Sequence, residues 1–350
     1  MKRRFRDRDF IETADGFFFC VVGGIHPAKR VIAYLKYVPD KAGKWGNGRR
    51  RFKRVLRNYT IPALSETLES LRREYPEYLF FSRYLHVLMS GVPIPRIVAR
   101  FLPEVRLHEL LCSNELDNLE EKLIALIELL SQKSGVSKDA FGVTGSILLG
   151  IHQTAFSDLD IIVYGRNSSL QVKKALTPMY EDSSSRVSKL HGDQMVEWCS
   201  SKVELYSLSY DEARELLTRR WNRGLFGSTL FSVHPVLMES EQIERYGDRS
   251  FNPLGFSKIE AKVSSNTEAM FLPSTYEVSD VRILEGPGVK GLREVCSYQG
   301  IYSDILRPEE RLIARGKLEH VKDKRTGEEY CRILIGGLEA RGEDYIKPLG

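Results

Sequence analysis

Residues 142–165 read GVTGSILLGIHQTAFSDLDIIVYG, and this stretch limits the fold more tightly than any other. The pair Gly145-Ser146 is followed by Asp158 and Asp160 on either side of one leucine, then by the apolar run IIVYG. Short apolar runs closed by glycine read as buried strands. Side chains at i and i+2 of a strand project to one side, with Cα atoms about 6.5 Å apart. The chain thus commits two like charges to the mouth of a buried strand, where unpaired carboxylates are costly. Divalent cations are the simplest partners for such a pair, and hard oxygen ligands select Mg2+ or Mn2+.

The glycine-serine turn supplies the complementary half. Gly145 has no side chain, so a phosphate can approach its backbone. Ser146 and the amides after it open the helical turn SILLG, which favours an anion. Phosphates on Gly145-Ser146 and metal on Asp158 and Asp160 suit transfer of a nucleotidyl group. Two ions about 3.5–4 Å apart activate an attacking hydroxyl and stabilise the leaving pyrophosphate.

TGSILLGIHQTAFSDLDIIVYG resembles the signature of the DNA polymerase β-like nucleotidyltransferase superfamily, Gly-Ser followed at a set spacing by Asp-h-Asp-h with h apolar. FGVTGSILLGIH, SDLDIIVYG, RRWNRG and FSVHPV further resemble an archaeal group of predicted nucleotidyltransferases, and the resemblance extends to the whole chain. It implies an α+β protein with a central polymerase-β-like α/β domain. It also implies a third metal-binding carboxylate on a neighbouring strand, between apolar residues. Glu204 in KVELYSL is the candidate, its alternative being a solvent-facing strand residue. The later strand TLFSVHPVL holds no acid, only His234; if that strand occupies the third position, the metal set is incomplete.

RRWNRG ends a helix opened by the capping box Ser209-Tyr-Asp-Glu212. Arg223 is placed among the substrate-binding residues, beside Gly145 and Ser146. Arg219 and Arg220 are read as satisfying the helix C-terminus, and Trp221 as core. His152, in the turn between Ser146 and Asp158, is read as an ordinary surface or packing residue, its alternative being a substrate contact, and Tyr164 as core.

Around this unit the chain divides into four regions. Residues 1–60 form a basic region with the hairpin runs GFFFCVV and RVIAYLKYV. Residues 61–138 read as helical: Leu64, Leu68 and Leu71 share a face behind Pro62, and 76–111 suggests short packed helices. The strongest helix has Leu116, Leu119, Leu123, Leu126, Ile127 and Leu130 in one stripe, acids at its start and Gly135 at its close. Residues 139–240 are the α/β unit, with VELYSLS expected as a strand. Residues 255–350 are β-type runs spaced as in a small barrel or sandwich, resembling an oligonucleotide-binding barrel.

Composition narrows the partners. Residues 1–60 hold sixteen Lys or Arg against five Asp or Glu, although the whole chain of 350 residues carries only +5. The densest cluster, KAGKWGNGRRRFKRVLR at 41–57, interleaves Trp45 and Phe52 with cations, a pattern that attracts a polyanion and offers rings for base stacking. The alternative is a solvated basic loop. The five cysteines form no C-x-x-C pair and the seven histidines no H-E-x-x-H, which points to a reducing cytoplasm without a structural metal. No apolar run is long enough for a membrane span.

Two functions follow. One is a Mg2+-dependent nucleotidyltransferase acting on a hydroxyl of an acceptor, RNA being favoured and a protein hydroxyl remaining open. The other is a nucleotide- or RNA-binding protein that keeps the fold without the activity. The nucleotide, the acceptor and the oligomeric state are not encoded in any motif.

Overall fold

The computed structural model describes residues 3–47, 50–56 and 58–349; Gly48, Arg49 and Arg57 of the basic cluster lie outside the described residues. The alternating run RVIAYLKYVP forms strand Arg30–Pro39, which pairs antiparallel with Phe18–Val21 to give the expected hairpin. Phe10–Thr13 and Ile97–Phe101 extend one side, Arg50–Arg54 and Trp45–Asn47 the other. Val87–Pro93 joins through Arg30–Ile32 and carries Leu79–Ser82, making eight strands.

This corrects the helical reading of 76–111, where Pro103–Leu111 is the α-helix and most of the rest is strand. The aromatic residues there find sheet partners far off in sequence, and no local period shows those partners. One face of the sheet packs on helix Ile61–Glu74 through Leu71, with Tyr78, Phe17, Phe19 and Val31. The opposite face carries Phe10, Phe18, Tyr37 and Phe52.

Helix Asn118–Ser134 opens on a capping box between Asp117 and Glu120 and closes on Gly135 at φ 71°. Its stripe of Leu119, Leu123, Leu126, Ile127 and Leu130 is buried with Val172 and Leu176 of helix Arg166–Met179 against a five-stranded sheet. The order is Val187–Ser188, Arg223–Phe226, Thr229–Val236, Leu159–Tyr164, Phe141–Val143. Leu159–Tyr164 lies between Thr229–Val236, to which it is parallel, and Phe141–Val143, to which it is antiparallel.

VELYSLS is not a strand. VEL ends helix Gly192–Leu205, because Met195, Trp198 and Cys199 fall on one helical face. That face and Ala213, Leu216 and Leu217 of helix Tyr210–Arg219 share a core with Ile259, Tyr276 and Leu312 of the C-terminal strands. Those strands are Arg249–Glu268, Ser274–Glu285, Leu292–Ser297, Arg311–Asp323 and Glu329–Ile335. They close in the order first, second, third, fifth, fourth, first, with the third and fifth parallel and the other pairs antiparallel. Closure removes the open edges of the ring. The chain is mixed α+β, and no helix among the described residues is long and apolar enough to cross a membrane.

Candidate active site

The glycine-serine turn and the aspartate strand meet directly. Thr144 donates its N–H to the Asp160 carbonyl at 3.0 Å and its hydroxyl to the Arg8 carbonyl at 2.9 Å. Gly145 follows at φ 71°, and a Cβ there would come within 2.5 Å of Asp160 Oδ2. Glycine is therefore required twice, for the left-handed backbone and for the space beside the carboxylate. Ser146 is largely buried in the short helix Gly145–Leu148 that leaves this turn.

Across from Asp160 on the parallel strand stands Ser232, whose hydroxyl donates to Asp160 Oδ1 at 2.5 Å. His234 Nε2 lies 2.8 Å from Ser232 Oγ and 3.4 Å from Asp160 Oδ1. Burial, then Arg8, push His234 down to about 4, so the imidazole is neutral at pH 7. Burial alone would raise Asp160, but the hydrogen bonds from His234 and Ser232 and the Lys36 ammonium hold it below the usual carboxylate range. Asp158 is the opposite case: repulsion from Asp160, then burial, push it up to about 6. Arg223 and Lys36 offset that only in part. The two carboxylates are thus close enough for mutual repulsion to dominate, the situation a bound cation relieves.

The N-terminal sheet closes over this spot. Leu148 and Ile151, from the turn between Ser146 and Asp158, pack into the core of Phe10, Phe18, Tyr37 and Phe52. Gly46 donates to the Ile151 carbonyl at 2.8 Å, and Gln153 Nε2 to the Gly46 carbonyl at 2.9 Å. The docking carries cations inward. Lys36 is 5% exposed, with Nζ 5.2 Å from the Phe10 ring centre and 6.0 Å from that of Tyr59. Arg54 lies within the field of Asp158. Phe52 is buried and does not fit the base-stacking role expected of it, while half-buried Trp45 packs perpendicular to Phe156 with ring centres 5.8 Å apart. The basic segment is strand rather than solvated loop over Trp45–Asn47 and Arg50–Arg54.

The remaining candidates separate clearly. Glu204 is exposed on helix Gly192–Leu205, not on a strand of the sheet, because that helix turns its apolar face to the C-terminal ring. The strand beside the aspartates presents Ser232 and His234 instead of an acid. Arg223 begins its strand opposite Ser232, so Arg223, Ser232 and Asp160 form one row across three strands. Arg219 pairs with Glu215 and Glu310 at 2.9 Å each and serves the fold. Trp221 is core, its Nε1 donating to Asp304 Oδ2 at 2.7 Å, and buried Tyr164 donates to Glu104 Oε2 at 2.8 Å. Arg220 departs from its assigned role: its backbone N–H continues the helix, but its side-chain Nε is buried without a partner.

His152 binds Asp117 Oδ2 through Nε2 at 2.6 Å, pinning the turn to the head of helix Asn118–Ser134. Asp117, Glu120 and His152 are near enough to chelate an ion, yet Asp117 already accepts two backbone N–H groups and Glu120 accepts from Arg106. Sequence reading missed Lys36 and Ser232 and placed Arg54 in the basic cluster without linking it to the aspartates. Lys36 left a signal, a cation within the largely apolar run RVIAYLKYVP.

The fold and site define a mixed α+β protein with a half-buried aspartate pair against a glycine turn. No family model and no solved structure matches the chain. It is 31% identical over 354 aligned residues to an uncharacterized protein of Methanocaldococcus jannaschii, covering 98% of each. The chain belongs to the same family as that archaeal protein.

Proposed function

We propose that this protein is a Mg2+-dependent nucleotidyltransferase of the polymerase-β-like kind. It would move a nucleoside monophosphate from a triphosphate to an acceptor hydroxyl, most plausibly on RNA, with release of pyrophosphate. The carrying observation is the meeting of Gly145 with Asp160 while Asp158, raised by the neighbouring charge, stands ready to accept a cation. Asp158 and Asp160 would hold the ion, which when bound supplies Lewis-acid polarisation of phosphate oxygens. Gly145 leaves Asp160 Oδ2 uncovered, Ser232 fixes the orientation of Asp160, and Arg223, Arg54 and Lys36 place positive charge around the carboxylates.

The arrangement of Phe141–Val143, the glycine turn, Leu159–Tyr164 and a parallel neighbour supports the superfamily reading. The strand order of the C-terminal ring supports an oligonucleotide-binding barrel, hence a nucleic-acid acceptor. Incubation with each α-labelled triphosphate, cellular RNA and Mg2+ tests the proposal. Label should enter RNA, and Asp158→Asn and Asp160→Asn should each abolish incorporation; turnover retained in both refutes it.

A second reading rests on Ser232 and His234 standing where a third acid is expected. In that case the protein binds nucleotide or RNA without transferring anything. Its RNA affinity would then be salt-sensitive and indifferent to both aspartate substitutions.

A further inference from the structure

Beside the aspartates lies a group of cations drawn from separate parts of the chain. Lys189 follows strand Val187–Ser188, Lys202 is on helix Gly192–Leu205, Arg220 caps helix Tyr210–Arg219 and Arg223 opens the next strand. Lys189 Nζ donates to the carbonyls of Thr218 and Arg220, which ties it to the end of that helix. Tyr180 closes the other side, its ring centre 4.4 Å from Lys189 Nζ and its hydroxyl donating to the carbonyls of Trp221 and Arg223 at 2.8 and 3.2 Å. Lys202 Nζ lies 5.4 Å from the Trp198 ring centre and 6.0 Å from that of Tyr206.

Lys189, Lys202 and Arg220 have no carboxylate of their own, while Arg223 lies within the field of Asp158. Among the described residues no acid contributes to the balance at Lys189, Lys202 or Arg220, and the Nε atoms of Arg220 and Arg223 are both buried without a hydrogen-bond partner. The contrast with adjacent positive residues is direct, since Arg219 has Glu215 and Glu310 and Lys173 has Asp304. Burial and each other's charge lower Lys189 and Lys202 to about 8 and Arg220 to about 10. The aromatic faces soften this repulsion but offer no acceptor to a guanidinium. A fold that gathers cations and supplies no counter-charge leaves that place to a ligand.

We propose that Lys189, Lys202, Arg220 and Arg223 form a phosphate-recognition site. Phosphate oxygens match both the guanidinium fork and the ammonium point charge. The site is contiguous with the aspartates: Arg223 is two strands from Asp160 along one row, about 10 Å at ordinary strand spacing. It suits a chain of phosphates leading away from Asp158, either the tail of a triphosphate or the backbone of a single-stranded nucleic acid. The proposal rests on the placement of the cations and not on the transferase reading.

The test measures inorganic tripolyphosphate and a fluorescent single-stranded RNA separately, each in EDTA, against the intact full-length chain. Lys202→Gln and Arg220→Gln should each weaken at least one probe by tenfold or more, while Arg72→Gln, exposed on helix Ile61–Glu74 and paired with Glu69, changes neither. Asp158→Asn should retain binding in EDTA, so failure of the transferase reading leaves this result untouched. Loss with tripolyphosphate alone assigns the site to the triphosphate tail, and loss with RNA alone to an acceptor backbone; either supports the proposal. Because Lys202 is only half-buried, Lys202→Gln keeps the test open should Arg220→Gln fail to fold. Changes below twofold for both probes in the folded variants overturn it.

Discussion

Ser232 stands directly across from Asp160 on the adjacent parallel strand and donates its hydroxyl to Asp160 Oδ1 at 2.5 Å. The strand beside Asp160 thus presents a hydroxyl that orients an ionised carboxylate. Ser232→Ala should cost about 1 kcal/mol at pH 7, because a half-buried carboxylate loses a donor. Asp160 is held below its unfolded-state value, so its stabilising contribution is present above the ordinary carboxylate range and lost as pH falls. Chemical denaturation should show the gap between wild type and variant nearly constant from pH 7 to pH 4 and narrowing only as pH falls below about 4.

Asp158 should behave in the reverse sense. Its folded-state value is raised to about 6, so its contribution is complete at low pH and disappears as pH rises through 6. Without metal, Asp158→Asn should therefore stabilise the fold by about 1–2 kcal/mol at pH 8, and by almost nothing at pH 4. Thermal unfolding in EDTA at the two pH values checks both statements.

Gly145→Ala should be damaging in two separable ways. The left-handed backbone penalises any Cβ, by about 1–2 kcal/mol, and this Cβ would press on Asp160 Oδ2. Denaturant unfolding should report the first effect, and weakened Mg2+ binding at 25 °C the second.

The turn between Ser146 and Asp158 is held from outside the sheet. Asp117→Ala removes both the cap of helix Asn118–Ser134 and the partner of His152, and should cost about 1–2 kcal/mol. Hydrogen exchange should rise at the first turn of that helix and at Ile151–Ser157, while the distant C-terminal ring stays protected.

What the sequence disclosed was local. The capping box at Ser209, the acids that open helix Asn118–Ser134, its close at Gly135 and the glycine turn before the aspartates are set by residues within a few positions of one another. The C-terminal runs alternate strongly enough to be read as strands without their partners. What escaped was long-range. Val87–Pro93 is a strand because Arg30–Ile32 lies beside it, and Glu204 is helical because Trp198 and Cys199 need the C-terminal ring.

The site divides in the same way. Gly145, Ser146, Asp158 and Asp160 share one motif and could be named from it. Lys36, Arg54, Lys202 and Arg220 lie on different elements, and only the packing of Leu148 and Ile151 on Phe10 and Phe18, or of two helices on the C-terminal ring, draws them inward. Basic composition pointed to a polyanion but gave the residues no address.

The most direct measurement is calorimetric binding of a triphosphate with an uncleavable α–β linkage, with and without Mg2+, at pH 7.5. The account predicts that Mg2+ tightens binding at least tenfold in the wild type, and that Asp158→Asn and Asp160→Asn each remove the enhancement while unfolding as cooperatively as the parent. Equal affinity with and without the ion, or an enhancement that survives in both variants, would contradict it.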